Sequence, residues 1–413
     1  MATVLRARPD HAGFKAYRHG THRTVDPVTT LARVQPYLAR MGITRIANVT
    51  GLDRIGVPVV MVCRPNSRSL AVSQGKGLSL DAAKASGVME AIELYHAERI
   101  QLPLKLGSAR ELAASHRLID LDAMPRRADS RFDPDLPVLW IEGRDLLTDA
   151  PTWVPYEVVH TNYTLPLPAG SGCFAASSNG LASGNHLLEA TNHGIAEVVE
   201  RDSITVWNHL DKASRERTRL DLGTVHDDDC AEILDRLERA GFAVAVWDTT
   251  TDVGIASFYC LITDRRQENA HPGAGAGAHP ARAVALNRAL TEAIQVRTTY
   301  ITGSRDDLRP EEFTPPALGQ KLRRARGLMA EPGAHRDLRD IPSQEAATCA
   351  EDLDWMLGRL RAVGIAEVVR VDLTRPEVGM PVVRVVIPGL EGQDDHEGYV
   401  PGSRACRVLE GRQ

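Results

Sequence analysis

Ala240-Gly-Phe-Ala-Val-Ala-Val-Trp-Asp248-Thr-Thr-Thr-Asp-Val-Gly254 runs on into Ile255-Ala-Ser-Phe-Tyr-Cys-Leu-Ile262, and the chain later echoes it. The echo is Val363-Gly-Ile-Ala-Glu-Val-Val-Arg-Val-Asp372-Leu-Thr374-Arg-Pro-Glu-Val-Gly379, followed by Met380-Pro-Val-Val-Arg-Val-Val-Ile387. Both stretches read as Gly, strand, Asp-x-Thr, Gly, strand. Each follows a segment of helical apolar periodicity, Ala231 to Ala240 and Asp352 to Val363. A repeated α–β–β unit predicts an α+β fold with internal duplication and antiparallel or mixed sheets, not the strand–helix alternation of a doubly wound sheet.

Between and before these units lie carboxylates at helical spacing. Ser86-Gly-Val-Met-Glu90-Ala-Ile-Glu93 is the first set. Asn185-His-Leu-Leu-Glu189 continues to Ala196-Glu197-Val-Val-Glu200-Arg201-Asp202. A third set, Arg288-Ala-Leu-Thr-Glu292-Ala-Ile-Gln295, has Gln in place of the second Glu. At about 100° per residue, Glu189, Glu197 and Glu200 fall within roughly a quarter-turn of one another. Glu90 and Glu93 are neighbours at i, i+3.

The ordinary reading of such a pair is a solvated helix face. Three features point instead to a carboxylate-lined metal–phosphate site. Apolar residues flank the carboxylates (Val88, Ile92, Ile195 and Val199 among them), small and Gly residues precede each set (Ser73-Gln-Gly-Lys-Gly77 and Ser178-Asn-Gly-Leu-Ala-Ser-Gly-Asn185), and the pattern recurs. Like charges on one face repel unless a cation lies between them. Mg²⁺, which takes oxygen ligands and shares them with phosphates, is the natural filler.

Composition narrows the class. The 413 residues are 43% hydrophobic and 25% charged, as in a globular protein, with a formal net charge of −5. That balance argues against a general nucleic-acid or membrane-surface binder. No apolar run is long enough to span a bilayer and the N-terminus has no apolar signal core, so a cytoplasmic protein is expected. Cys63, Cys173, Cys230, Cys260, Cys349 and Cys406 form no CxxC and no Cys/His pairing, which speaks against a structural zinc site or a disulfide framework. Cys173, in Gly-Ser-Gly-Cys-Phe, is the first candidate for reactivity and Cys406 the second.

Residues 1–30 read as an arm, 31–400 as the catalytic domain and 401–413 as a tail. A short helix is expected from Thr29 to Arg40, and strands from Thr44 to Val49 and Val57 to Cys63. The helix bearing Glu90 and Glu93 should run from about Leu80 to Arg99 with Ser79 as N-cap. Residues 103–152 read as a less regular excursion. Gly170 to Asn185 reads as a loop feeding a helix that ends near His209. His271-Pro-Gly-Ala-Gly-Ala-Gly-Ala-His279-Pro lacks the GK[ST] of a phosphate loop and reads as a flexible loop delivering His279 to a helix N-terminus.

At these motifs the chain resembles the YcaO family. SxxxExxE at Ser86–Glu93, NxxxE at Asn185–Glu189, ExxER at Glu197–Arg201 and ALTEAxQ at Ala289–Gln295 occur in order, and the resemblance extends from Gly20 to Glu391. It implies a YcaO-type ATP-binding fold with ATP and Mg²⁺ as cofactors. It also implies an enzyme that phosphorylates a peptide-backbone amide oxygen. By motif position, Glu90, Glu93, Glu189, Glu197 and Glu200 resemble the Mg²⁺–ATP ligands. Asn185 and Arg201 resemble nucleotide-phosphate contacts. Lys76, Ser86, Ser183 and Arg305 are further nucleotide-site candidates, Ser183 standing beside the Ala182 position where members often carry Ser. Glu200, Arg201, Glu292 and Gln295 are the catalytic candidates.

The branch of the family sets what attacks the activated carbon. Azoline-forming members typically end in Pro-x-Pro-x-Pro, whereas this sequence closes Gly398-Tyr-Val-Pro-Gly-Ser-Arg-Ala-Cys-Arg-Val-Leu-Glu-Gly-Arg-Gln413. The ending and the absence of a fused leader-binding domain resemble the stand-alone, TfuA-associated, thioamide-forming type. The expected partners are then a peptide or protein substrate, a sulfide source, a TfuA protein and a second copy in a homodimer. An azoline-forming cyclodehydratase and a non-catalytic ATP-binding scaffold are the alternatives.

Overall fold

The computed structural model describes residues 12–267, 270–330, 336–395 and 398–411. Residues 1–11 of the expected arm and 412–413 of the expected tail lie outside the described residues.

The chain begins with α1 (Pro27–Val34), β1 (Arg45–Asn48), β2 (Val59–Cys63), β3 (Val72–Lys76) and α2 (Leu80–Ala97). Then come β4 (Leu104–Gly107), α3 (Ala109–Ala113), β5 (Val138–Asp145), β6 (Pro151–Pro155), β7 (Leu181–Ser183) and α4 (Leu187–Asn208). After α5 (Lys212–Glu216), α6 (Asp228–Arg239) leads to β8 (Phe242–Asp248), β9 (Ser257–Asp264), β10 (Gly273–Ala278) and α7 (Arg282–Thr302). The chain closes with α8 (Pro315–Met329), α9 (Cys349–Ala362), β11 (Val369–Asp372), β12 (Val382–Val386) and α10 (Ser403–Glu410).

All paired strands are antiparallel. One sheet runs β1-β2-β3, a second β10-β9-β8, and a six-stranded sheet β4-β5-β11-β12-β7 with β6 against β5. Both expected α–β–β units are present, as α6-β8-β9 and α9-β11-β12. There is a third of the same kind, α1-β1-β2. In each, a further strand extends the pair and feeds a long helix: β3 into α2, β10 into α7, and β7, supplied from earlier in the chain, into α4.

The small residues before the acidic helices therefore serve a different purpose from the one their composition suggests. They bring strand backbone against helix backbone. A Cβ on Gly75 would overlap the Ala83 carbonyl oxygen of α2, and one on Gly275 would overlap the Ala293 backbone nitrogen of α7. The Gly/Ala run is accordingly strand β10, in register with β9 from Gly273↔Ile262 to Ala278↔Ser257, and not a flexible loop. Part of the Gly170–Asn185 loop is likewise strand β7. The 103–152 excursion is also more regular than its Asp, Arg and Pro content implied, because it supplies β4, β5 and the first two residues of β6 to the largest sheet.

The helix bearing Glu90 and Glu93 starts where the sequence placed it. Ser79 caps it, accepting from Ala82 N at 3.2 Å. Separate apolar cores lie under the six-stranded sheet (Trp140, Phe174, Val369), in the β8–β10 unit (Phe242, Phe258, Leu290), and between α4 and α9 (Val199, Met356, Val385). No helix among the described residues is long and apolar enough to cross a membrane.

Candidate active site

The three long helices carry their acidic pairs at the same height. Glu90 and Glu93 on α2, Glu197 and Glu200 on α4, and Glu292 and Gln295 on α7 are the eleventh and fourteenth residues of their helices. Each helix is tied to the next unit through the last residue of a strand. Ser183, ending β7, donates through its backbone N–H at 2.8 Å and its hydroxyl at 2.7 Å to Glu93. Ala278, ending β10, donates its N–H to Glu200 at 2.9 Å. Lys76, ending β3, donates to Glu292 at 2.6 Å. The cycle α2–β7, α4–β10, α7–β3 closes the three units around one set of carboxylates.

The charges act on one another across that set. Burial pushes the Glu93 carboxyl up to about 8, with Glu197 and Glu90 adding to the push and the Ser183 hydrogen bonds opposing it. Burial also raises Glu197 to about 7, against the pull of Arg201, with Glu200 adding repulsion. Glu90 is raised by burial while Arg305 and Lys76 oppose the rise. Burial works against ionisation of Glu292 as well, yet Lys76 and Arg201 hold its carboxyl below the ordinary range. Arg201 lies 3.8 Å from Glu200.

Several predicted residues are placed differently. Glu189 sits two turns before Glu197 and is engaged by the arm. Thr24 donates its N–H at 2.8 Å and its hydroxyl at 2.7 Å to one carboxylate oxygen, and Asn185 N donates to the other at 3.2 Å. The Asn185 side chain is held by Thr30 and Arg33. Ser183 spends its hydroxyl on Glu93. Ser86 is exposed, one turn before Glu90. Gln295 is buried one turn beyond Glu292. Arg305 pairs with Asp307 through Nε at 2.9 Å and also faces Glu90. Cys173 is buried with its thiol pushed up by that burial, as the structural reading of the residue expects.

The structure adds Arg288, whose guanidinium bonds His193 Nε2 at 2.8 Å and which acts on both Glu197 and Glu292. It stands four residues before Glu292 in the same motif, so its spacing was the available signal. Gln74 is a second addition: its backbone N–H reaches Glu90 at 3.3 Å while its buried side-chain Nε2 has no partner among the described residues.

These groups fit Mg²⁺ with a polyphosphate. Among the described residues no three His, Cys, Asp or Glu side chains are drawn together as a ready-made metal cage. Mg²⁺ needs none, since it is bound through one or two carboxylates plus phosphate oxygens and water. The raised carboxyls of Glu93 and Glu197 are those expected where like charges are buried together, and Lys76, Arg201, Arg288 and Arg305 place positive charge beside the set.

Residues 74–391 match the family described as YcaO cyclodehydratase, ATP- and Mg²⁺-binding. The chain is 34% identical over 398 residues to an uncharacterised protein in the tfuA 3′ region of Rhizobium leguminosarum bv. trifolii, covering 95% of this chain and 94% of that one. It is 35% identical over 376 residues to an uncharacterised protein of Methanothermobacter thermautotrophicus, covering 89% and 95%. Among solved structures, YcaO from Methanopyrus kandleri, bound with AMPPCP and Mg²⁺, superposes with a TM-score of 0.75 at 25% identity over 95% of this chain and 99% of that one. A heterocyclase in complex with substrate and cofactor gives a TM-score of 0.76 at 23% identity, covering 95% of this chain and 56% of that one, which shows a shared fold.

The α+β fold and the family match thus define an ATP- and Mg²⁺-binding class of proteins. The chain belongs to the YcaO family, and ATP and Mg²⁺ are its cofactors.

Proposed function

We propose that this protein phosphorylates the oxygen of a peptide-backbone amide with ATP and that sulfide then attacks the activated carbon, leaving a thioamide. The observation that carries amide activation is the meeting of three carboxylate-bearing helices with Lys76, Arg201, Arg288 and Arg305. The branch rests on the relative in a tfuA 3′ region, which is similar along nearly the whole of both chains.

In this reading the amide oxygen forms a bond to the γ-phosphorus as the bond from that phosphorus to ADP breaks. Hydrosulfide, supplied free or by a TfuA partner, then forms the C–S bond. The C–O bond breaks, phosphate leaves with the former amide oxygen, and the sulfur proton passes to solvent. Mg²⁺, when bound, supplies charge neutralisation at the phosphates. Glu90, Glu93, Glu197 and Glu200 are the carboxylates from which its protein ligands would be drawn. Glu189 would join them only by giving up the bonds it accepts from Thr24. Lys76, Arg201 and Arg305 hold phosphate oxygens, while Glu292 and Gln295 border the amide.

A cyclodehydratase, in which a Cys, Ser or Thr side chain replaces sulfide, is the second reading, supported by the description of the family. The test of amide activation is isotopic. A peptide carrying ¹⁸O at the modified amide should release ¹⁸O-phosphate in step with its modification. Unlabelled phosphate from a modified peptide would contradict the reading.

A further inference from the structure

A buried cation of β12 has partners for only part of its guanidinium among the described residues. Arg384 interrupts the valine run of that strand and is almost fully buried, at 3% exposure. Its Nη2 donates to the Ser177 carbonyl at 2.8 Å, but its Nε and Nη1 have no partner among the described residues. Nearby, Asn179 Oδ1 and His160 Nε2 are also buried without partners. Leaving such groups unpaired costs about 1–3 kcal/mol each, more for charged ones, so their concentration in one place needs a physical reason.

Arg384 and Asn179 line a cavity of about 140 Å³ together with an apolar wall of Met124, Val158, Ile387 and Leu390 and a polar rim that includes Arg126, Glu391 and Tyr399. A cavity of about this size admits a ring the size of benzene, hence one amino-acid side chain. One end of it approaches the acidic site, because Val198, the residue after Glu197 on α4, also lines it and Arg384 acts on the Glu197 carboxylate. Arg384 and Asn179, each with a buried polar atom that lacks a partner among the described residues, thus border the cavity beside its apolar residues.

We propose that this cavity receives one residue of the acceptor peptide, its side chain against Met124, Val158, Ile387 and Leu390, its backbone carbonyl accepting from Arg384 and its N–H donating to Asn179. A backbone amide is the ligand that presents one acceptor and one donor a fixed distance apart. The apolar wall selects an aliphatic residue beside the amide to be modified. This deepens the proposed function and rests on its peptide substrate, but not on the identity of the attacking atom.

The test uses the full chain and a defined probe, N-acetyl-photoleucine N-methylamide, cross-linked by light and mapped by peptide mass spectrometry. Saturable labelling at Met124, Val158, Ile387 or Leu390, competed by N-acetyl-leucine N-methylamide, is expected. Val158→Trp, which fills the cavity, and Arg384→Met, which removes the donor, should each reduce labelling at least about fivefold. MgATP affinity should remain within about twofold in Val158→Trp, because that change leaves the carboxylate set untouched. Saturable labelling elsewhere, no saturable labelling, or undiminished labelling in folded Val158→Trp would overturn the proposal, even if Arg384→Met fails to fold. Since no turnover is involved, a failed thioamide assay and a failed labelling experiment are distinguishable.

Discussion

Glu93→Gln removes one charge from the acidic set and keeps the side-chain shape, so it separates the electrostatic cost of the set from its packing. Burial raises the Glu93 carboxyl from the ordinary 4.5 to about 8, and Glu197 and Glu90 add to the rise. Between those values the native protein keeps a proton that the unfolded chain has released. Stability without metal therefore falls as pH rises across that window and levels off above it. At about 1.4 kcal/mol per pH unit, the window sets a ceiling of about 5 kcal/mol. Glu93 is partly reached by solvent, which screens the charge, so about 2 kcal/mol is expected at about pH 9. Gln can still accept both Ser183 hydrogen bonds through its amide oxygen. In EDTA, thermal melts of the two proteins should coincide near pH 5, and the variant should melt higher near pH 9. Added MgATP should reverse that order, because the wild type gains stability by mass action and the variant gains less. Equal pH slopes together with equal MgATP gains would refute the reasoning.

Three further outcomes follow from the same geometry. Glu200→Gln should still accept the Ala278 N–H and stay folded, yet lose ATP turnover by at least about a hundredfold, read by phosphate release. Gly75→Ala should destabilise the protein by at least about 3 kcal/mol in a denaturant melt, since its Cβ meets α2 backbone that cannot move aside as a side chain could. Lys15→Met strands Asp352, its partner at 2.8 Å in a buried pair, and should cost about 3–5 kcal/mol by the same melt.

The duplicated α–β–β unit was legible because Asp-x-Thr and the surrounding Val runs survive in both copies. The third unit was not recognised as a repeat, although its helix and both strands were expected, because Asn48-Val-Thr50 stands where the other two carry Asp-x-Thr. Strand β10 was missed for a related reason. Its residues are Gly and Ala, which carry no strand signal of their own and are required there by the close approach of α7. Glu90, Glu93, Glu197, Glu200 and Glu292 were found from helical spacing. Glu189 was grouped with them by angle, and the structure places it two turns earlier along α4, against the arm. Arg384 gave no signal at all, since one Arg in a Val run reads as an exposed strand position until its burial is seen.

The attacking atom is tested most directly by the mass of a cognate peptide after incubation with this protein, ATP, Mg²⁺ and sulfide, with and without a TfuA partner. Exchange of oxygen for sulfur adds ~16 Da, whereas attack by a side chain removes ~18 Da as water. The account predicts the gain, dependent on sulfide and ATP together. Loss of water independent of sulfide would contradict it and establish the azoline route.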